Sequence, residues 1–222
     1  MKRLCDLLAI VPGVTAIIGG GGKTTLMMTL AKELSERGRV IVTTSTKILP
    51  PEDIPALINP TGKEVTEALT RNPVICVGNK CGDKFSSSTI SFAELAKLAD
   101  YVLTEADGSR QLPLKAHADY EPVIPDTANQ CIYVIGIDCI GGRLSEVCHR
   151  PELFAELNGC GTDESVTAEL AAAAVKKERL ADRYFINKAD DNEGMEKAAN
   201  LAVLLGKPSV FGSLHRGEYK CL

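Results

Sequence analysis

No apolar run in the 222-residue chain approaches the ~20 residues that a membrane-spanning helix requires, so no membrane partner is expected. Long basic runs are missing too, and the net charge is −4. That argues against a nucleic-acid partner, because gripping a phosphate backbone calls for clustered lysine and arginine. The eight cysteines, at 5, 76, 81, 131, 139, 148, 160 and 221, include no C-x-x-C pair. Zinc and iron–sulfur sites normally draw on such close pairs, which leaves reduced structural thiols as the expectation. Cys76 and Cys131 lie inside apolar runs, where a thiol behaves as a small hydrophobe, while Cys139, Cys148 and Cys160 share one loop-rich region. Internal repeats and low-complexity tracts are absent. What is present is a chain 45% apolar and 24% charged, the composition of a packed, water-soluble fold. Its opening, "MKRLCDLLAIVPG", has the basic-then-apolar order of a signal peptide, but Asp6 interrupts it and it runs into a glycine loop. A short helix covering an edge of the core of a cytoplasmic protein is expected there instead.

Short apolar runs alternate with helical stretches, as in a mainly parallel sheet with helices on both faces. Strands are predicted at 14–18, 39–44, 73–78, 100–105, 130–138, 181–187 and 208–214, and helices at 23–37, 63–72, 91–99, 167–178 and 194–206. In the first of these helices Leu26, Leu30 and Leu34 share one side, and Gly38 follows as its stop. Residues 48–62 are interrupted by proline and are expected to be an extended connection. Two further long loops are expected at 108–128 and 139–164. The economical assignment is one doubly wound α/β domain over 1–222, of the P-loop NTPase-like type for the reasons that follow.

"AIIGGGGKTTLMMTLAKEL" (16–34) places four glycines between a strand and a helix that opens on Lys-Thr-Thr. Loop and first-turn N–H groups, together with the helix dipole, make such a junction an anion trap. The common G-x-x-x-x-G-K-[ST] spacing is not met, since its first glycine falls on Ile17. A compact G-x-x-G-K-T-T is met, with Gly19 and Gly22 fixed and Gly20 and Gly21 between them. Lys23 is expected to reach the terminal phosphates, Thr24 to hold Mg²⁺ and Thr25 to contact an inner phosphate. A merely tight strand-to-helix turn explains the glycines but not Lys-Thr-Thr. This compact loop is similar to that of Mur-type amide ligases and some small-molecule kinases, and it lacks the extra lysine of the signature-lysine ATPases.

Two other segments belong with such a loop. "YVLTEADGS" ends a strand on Glu105 and Asp107, which share a face if the strand continues, and either could join the metal shell, Glu105 first. Its E-A-D-G also fits [DE]-x-x-G, in which Gly108 would sense a γ-phosphate; a polar turn is the plainer alternative. "FINKAD" matches N-K-x-D at a strand end. Asp190 would accept from guanine N1–H and the exocyclic amine, Lys188 would cover the base and Asn187 would orient the loop. GTP is therefore expected ahead of ATP, unless the tetrapeptide is a coincidence. "TTSTKI" (43–48) could position substrate or water at the carboxyl edge, or be an ordinary strand end. Arg110, Lys115, His149 and Arg150, in the long loops, could meet an anionic substrate or stabilise a transition state, and could equally be surface ion-pair residues. Asp138 at a strand end could serve the same site.

Taken together, "GGGGKTT", "TTSTK", "EADGSRQLPLKA-x-A-x-YEPVIP", "VIGIDCIGG", "HRPE" and "INKAD" resemble the YqeC family from about residue 8 to the C-terminus. The "EADGSRQLPLKA" block is far more specific than any loop motif, and His117 stands where proline is common in relatives. The resemblance implies an accessory of selenium-dependent molybdenum hydroxylases, with the hydroxylase or its cofactor-maturation proteins as partners. The resulting expectation is an NTPase, with GTP or ATP and Mg²⁺ bound and Lys23, Glu105, Asp107 and Arg110 as catalytic candidates. Two alternatives stay open: a small-molecule kinase or ATP-dependent ligase, and a non-catalytic nucleotide-gated binding protein.

Overall fold

The computed structural model describes residues 2–206 and 208–222. Its contacts gather into two compact units that interrupt one another in sequence. The first comprises Met1–Ile17, Thr24–Asp107 and Val123–Cys131, the second Ile18–Lys23, Gly108–Pro122 and Ile132–Leu222. Both are α/β, with mainly parallel strands.

The first unit contains α1 (Leu4–Leu7), β1 (Gly13–Gly19, which ends in the second unit), α2 (Lys23–Leu34), β2 (Val40–Thr44), β3 (Lys47–Ile48) and β4 (Ala56–Ile58). It continues with α3 (Gly62–Arg71), β5 (Val74–Cys81), β6 (Lys84–Ser86), α4 (Phe92–Leu98) and β7 (Tyr101–Glu105). The sheet order is β1-β7-β2-β5-β6-β3, with β4 beside β5. Strands β1, β7, β2, β5 and β4 run parallel, and β6 runs antiparallel to both β5 and β3. Continuous apolar runs such as Val40–Val42 form parallel strands because both of their faces are covered, so no polar alternation is needed. Val65 and Leu69 of α3 and Leu95 of α4 close over Val14, Ile41, Ile75, Val77 and Val102 in one buried cluster. Each of those helices begins in a capping box, Thr61 with Glu64 and Ser91 with Glu94. Leu26, Leu30 and Leu34 of α2 are all fully buried. The N-terminal helix is tied to α2 by Glu33, whose carboxylate accepts from Leu4 N at 3.0 Å and Cys5 N at 2.7 Å, two donors with no intrahelical partner.

Three details differ from the sequence expectation. Helix α2 ends at Leu34 rather than 37, and a turn carries the chain to Gly38, whose N–H returns to Leu34 O. Residues 56–58 of the extended connection form a short strand on β5. Strand β5 runs on past Gly78 to Cys81 and folds back as β6, a hairpin whose polar Asn79 and Lys80 lie at the partly solvated edge.

The second unit contains β8 (Leu114–Lys115), β9 (Ala128–Gly136, which begins in the first unit), α5 (Leu144–Val147), β10 (Cys148–His149) and α6 (Pro151–Asn158). It ends with α7 (Ala168–Glu178), β11 (Arg183–Asn187), α8 (Asn192–Leu205), β12 (Ser209–Ser213) and β13 (Glu218–Cys221). Strands β9, β11 and β12 are parallel neighbours, and β13 closes the edge antiparallel to β12. The small side chains of Ala168, Ala171, Ala172 and Ala174 are buried on α7, and Ala198, Leu201, Ala202 and Leu205 are buried on α8. The stretch expected as a loop at 139–164 holds α5, β10 and α6. Pro151 starts α6 and Gly159 ends it in the left-handed region.

Two short strands and an ion network join the two long loops of this unit. Strand β8 pairs with β10 in parallel, Lys115 opposite His149. The Lys115 side chain is 0% exposed, and its ammonium donates to Gly108 O at 2.6 Å and Glu121 Oε2 at 2.9 Å. The other Glu121 oxygen accepts from Arg150 Nε at 2.6 Å, and the Arg150 guanidinium lies over the Tyr120 ring. Burial works against the charged form of Glu121, but the hydrogen bonds from Lys115 and Arg150 prevail and hold its carboxyl below the ordinary range. Nearby, Glu178 accepts from the His117 backbone N–H at 2.7 Å and lies 3.0 Å from its Nδ1. Among the described residues, no helix is long and apolar enough to cross a membrane.

Glu121→Gln should destabilise the fold by about 3 kcal/mol in urea unfolding, because it leaves a buried ammonium without its counter-charge. In the wild type, the carboxylate's contribution is present above the ordinary carboxylate pKa. It should be lost only as the pH falls through the depressed folded value, so acid should unfold the variant through a smaller pH-dependent loss. The thiols make a second test. Burial pushes Cys76 and Cys148 up to about 12 and Cys139 higher still, whereas Cys221 is exposed. A thiol reagent should modify the exposed Cys221 in the native protein and reach the other three only in denaturant. Fast native-state labelling of Cys148 would contradict the packing described.

Candidate functional site

The glycine loop begins where β1 ends. In the second unit, Gly19, Gly20 and Gly21 are packed against neighbouring backbone, and Gly22 against the Asn187 side chain. A Cβ on Gly21, whose φ is +80°, would fall 2.3 Å from Gly136 N, and one on Gly22, at φ +124°, would fall 2.5 Å from Asn187 Nδ2. Only glycine satisfies both the angle and the space at these two positions. The N–H of Gly20 donates to Val134 O at 2.9 Å and that of Gly21 to Leu112 O at 3.0 Å. Those two donors therefore fix the shape of the loop. The N–H groups that a helix leaves without an intrahelical partner are the ones that follow, from Lys23 through Thr25 at the start of α2. Lys23 is 4% exposed, and its ammonium donates to Gly19 O at 2.8 Å and to Ser109 Oγ at 3.2 Å. The side chain thus curls over the loop from which it springs.

Thr24 begins the first unit's part of α2. Its hydroxyl donates to Glu105 Oε2 at 2.8 Å, at the end of β7. Glu105 is held there by register, opposite Ile17 of β1 on one side and Thr44 of β2 on the other, and Thr44 Oγ1 donates to its carbonyl at 2.9 Å. A hydroxyl and a carboxylate side by side are the hard oxygen donors that Mg²⁺ prefers, so the residues present fit that ion. The alternation argument does not carry to Asp107. Strand β7 stops at Glu105, and Asp107 is fully buried beyond its end. Thr25 is exposed on the first turn of α2.

The N-K-A-D segment follows β11 within the second unit. Asn187 is 5% exposed, and its Nδ2 donates to Gly21 O at 2.8 Å while its Oδ1 accepts from Leu214 N at 3.1 Å. The amide therefore ties the end of β11 to the glycine loop and to the turn after β12. Asp190 is exposed, and one of its oxygens accepts from the Ser213 hydroxyl. Ser213 Oγ in turn accepts from Arg216 N at 3.0 Å. Lys188, at φ +66°, pairs with Asp138 at 2.6 Å. Asp138 and Lys188 thus belong to one ion pair, both partly exposed.

The structure brings together Thr24 with Glu105, Lys23 with Gly19, and Asn187 with Gly21. Arg110 joins none of these pairs. It is exposed, has φ +50°, and acts electrostatically on His149 together with Lys115 and Arg150. Gly108 is open to solvent, and its carbonyl is held by Lys115. Ser109, Ser213 and Leu214 were not singled out from the sequence. Ser109 is the hydroxyl within the motif-rich "EADGS" that the lysine reaches. Ser213 and Leu214 sit in the unremarkable "GSLH", where only their nearness to the N-K-A-D turn reveals a role.

Comparison with known proteins bears on identity. A family model described as YqeC protein matches residues 15–152. The chain is 31% identical over 193 residues to a protein of Escherichia coli named "Uncharacterized protein YqeC", covering 79% of this chain and 75% of that one. Among solved structures, the chain resembles the signal recognition particle 54 kDa protein from Aeropyrum pernix, described in complex with GDP, at 13% identity and a TM-score of 0.45. That match covers 96% of this chain but 44% of the other, so the chain spans less than half the length of that structure. At that score the likeness says nothing about function. The family model and the Escherichia coli relative are decisive: the chain belongs to the YqeC family.

Proposed function

We propose that this protein binds a nucleoside triphosphate at its glycine loop, prefers guanine to adenine, and hydrolyses the nucleotide. The observation that carries this reading is the hydrogen bond from Asn187 Nδ2 to Gly21 O. It couples the segment suited to reading a base with the loop suited to holding phosphates, and a chance N-K-x-D would have no reason to make it. In this reading Lys23 turns from Gly19 O and Ser109 toward the β- and γ-phosphates, and the first-turn N–H groups of α2 receive phosphate oxygens. Thr24 and Glu105 hold Mg²⁺, which when bound neutralises charge on the phosphates. Asp190, steadied by Ser213, accepts from the two guanine donors, a pair that adenine does not present. An accessory role in maturation of a selenium-dependent molybdenum hydroxylase is supported by the family resemblance.

Thermal unfolding with Mg²⁺ and either GTP or ATP tests the binding claim. GTP at a hundredfold excess over its Kd should stabilise the protein by about 2.7 kcal/mol, ATP should stabilise it less, and Lys23→Ala should remove both effects. Equal stabilisation by the two nucleotides would remove the guanine preference, and none by either would remove the site. Asp190→Asn should narrow the GTP-to-ATP affinity ratio roughly tenfold or more, with Ser213→Ala narrowing it less, since the serine only steadies the carboxylate. Release of phosphate from GTP without an added acceptor is expected; strict dependence on an acceptor would point instead to a kinase or ligase. For the accessory role, a selenium-dependent molybdenum hydroxylase co-expressed with the Lys23→Ala protein should lose activity and selenium content relative to the wild-type pairing. Unchanged activity and selenium would sink that part of the reading.

A further inference from the structure

The network of Lys115, Glu121 and Arg150 accounts for how the two long loops of the second unit are pinned, but it leaves its neighbours unexplained. Two side chains beside it pin nothing. Arg110 is exposed, and His149 is half-buried opposite Lys115 in the β8–β10 pair. Among the described residues, neither side chain has a hydrogen-bond partner. The backbone around them is unusual as well. Arg110 and Gln111 are successive non-glycine residues at φ +50° and +65°, and Arg150 is at +68°. Side-chain-bearing residues seldom adopt that region, and such conformations concentrate where a side chain must be held for a ligand. The strongest charges acting on His149 are three cations, Lys115, Arg150 and Arg110, against a single carboxylate, Glu121, already shared between Lys115 and Arg150.

We propose that Arg110, His149 and Arg150, seated on the Lys115–Glu121 ion pair, form a binding site for the phosphoryl dianion of a small molecule. A planar carboxylate is satisfied by one guanidinium, whereas a tetrahedral dianion offers three oxygens and two charges. Two guanidinium groups and an imidazole match the tetrahedral group in number and charge. Burial first, then Lys115 and Arg150, hold His149 below its ordinary pKa, so it is largely neutral near pH 7 in the free protein. A bound dianion offsets those cations, and His149 then takes up a proton and becomes a further donor. Calling this ligand the second substrate rests on the nucleotide reading, but its binding can be read without any nucleotide.

The chain has only three histidines, His117, His149 and His215, so their ring signals can be followed individually by NMR across a pH titration. With phenyl phosphate as the probe, the apparent pKa of His149 should rise by about one unit while those of His117 and His215 stay in place. The same rise should appear in Lys23→Ala protein, which separates this site from the glycine loop. Arg110→Gln, a change at an exposed side chain, should preserve the fold and weaken phenyl phosphate binding about tenfold. Benzoate at the same concentration should leave His149 unmoved. An unchanged His149, an equal shift of all three histidines, an equal response to benzoate, loss of the response in Lys23→Ala protein, or undiminished binding by Arg110→Gln would each overturn the proposal.

Discussion

Close backbone approach at the glycine loop governs the second unit's part of the site. Gly19, Gly20 and Gly21 each stand so near a neighbouring main chain that a single Cβ would come within 2.4 Å of a carbonyl oxygen or an amide nitrogen. That intimacy lets the N–H groups of Gly20 and Gly21 reach Val134 O and Leu112 O. It also lets Asn187 Nδ2 sit against Gly22 and bond to Gly21 O. The loop is therefore a rigid piece whose form is set by hydrogen bonds to the protein. In the proposed nucleotide reading, a loop fixed in this way would need little ordering when a phosphate binds beside it.

Two acids show how their surroundings assign different work to the same functional group. Glu121 has a buried ammonium on one oxygen and a guanidinium on the other, so both of its oxygens are engaged in joining loops. Glu105 meets a neutral hydroxyl instead, that of Thr24, at the end of a parallel strand. A hydroxyl leaves the charge of its carboxylate partner in place, whereas Glu121 shares its charge with two cations.

The central strands could be read from the sequence because a strand covered on both faces is a continuous apolar run that needs no knowledge of its neighbours. Val40–Val42 and Ile132–Ile135 are of this kind. Pairings at the edges could not be read. Strands β6 and β13 are short and carry polar residues, and β8 and β10 are two residues each, joined across a sequence gap that no local pattern marks. The site divides the same way. Lys23, Thr24 and Asn187 lie in motifs whose spacing carries their chemistry. Ser109 lies 86 residues from the lysine it meets, and Ser213 lies 23 from the aspartate it steadies. A lone serine has no pattern of its own, and only its folded neighbour gives it a role.

The turn after β12 carries the last step. Ser213 both donates to Asp190 and accepts from Arg216 N, and the next residue gives its N–H to Asn187. One tight turn thus holds both ends of N-K-A-D, the asparagine at the strand end and the aspartate three residues on. If either hydrogen bond were merely structural, the other would not be needed to stop the segment fraying, because Asp191 already caps α8 by accepting from Gly194 N at 2.7 Å. Double anchoring of a segment whose helix is already capped fixes the direction of the Asp190 carboxylate. In the proposed guanine reading that direction matters, because the carboxylate would accept two hydrogen bonds from one planar base.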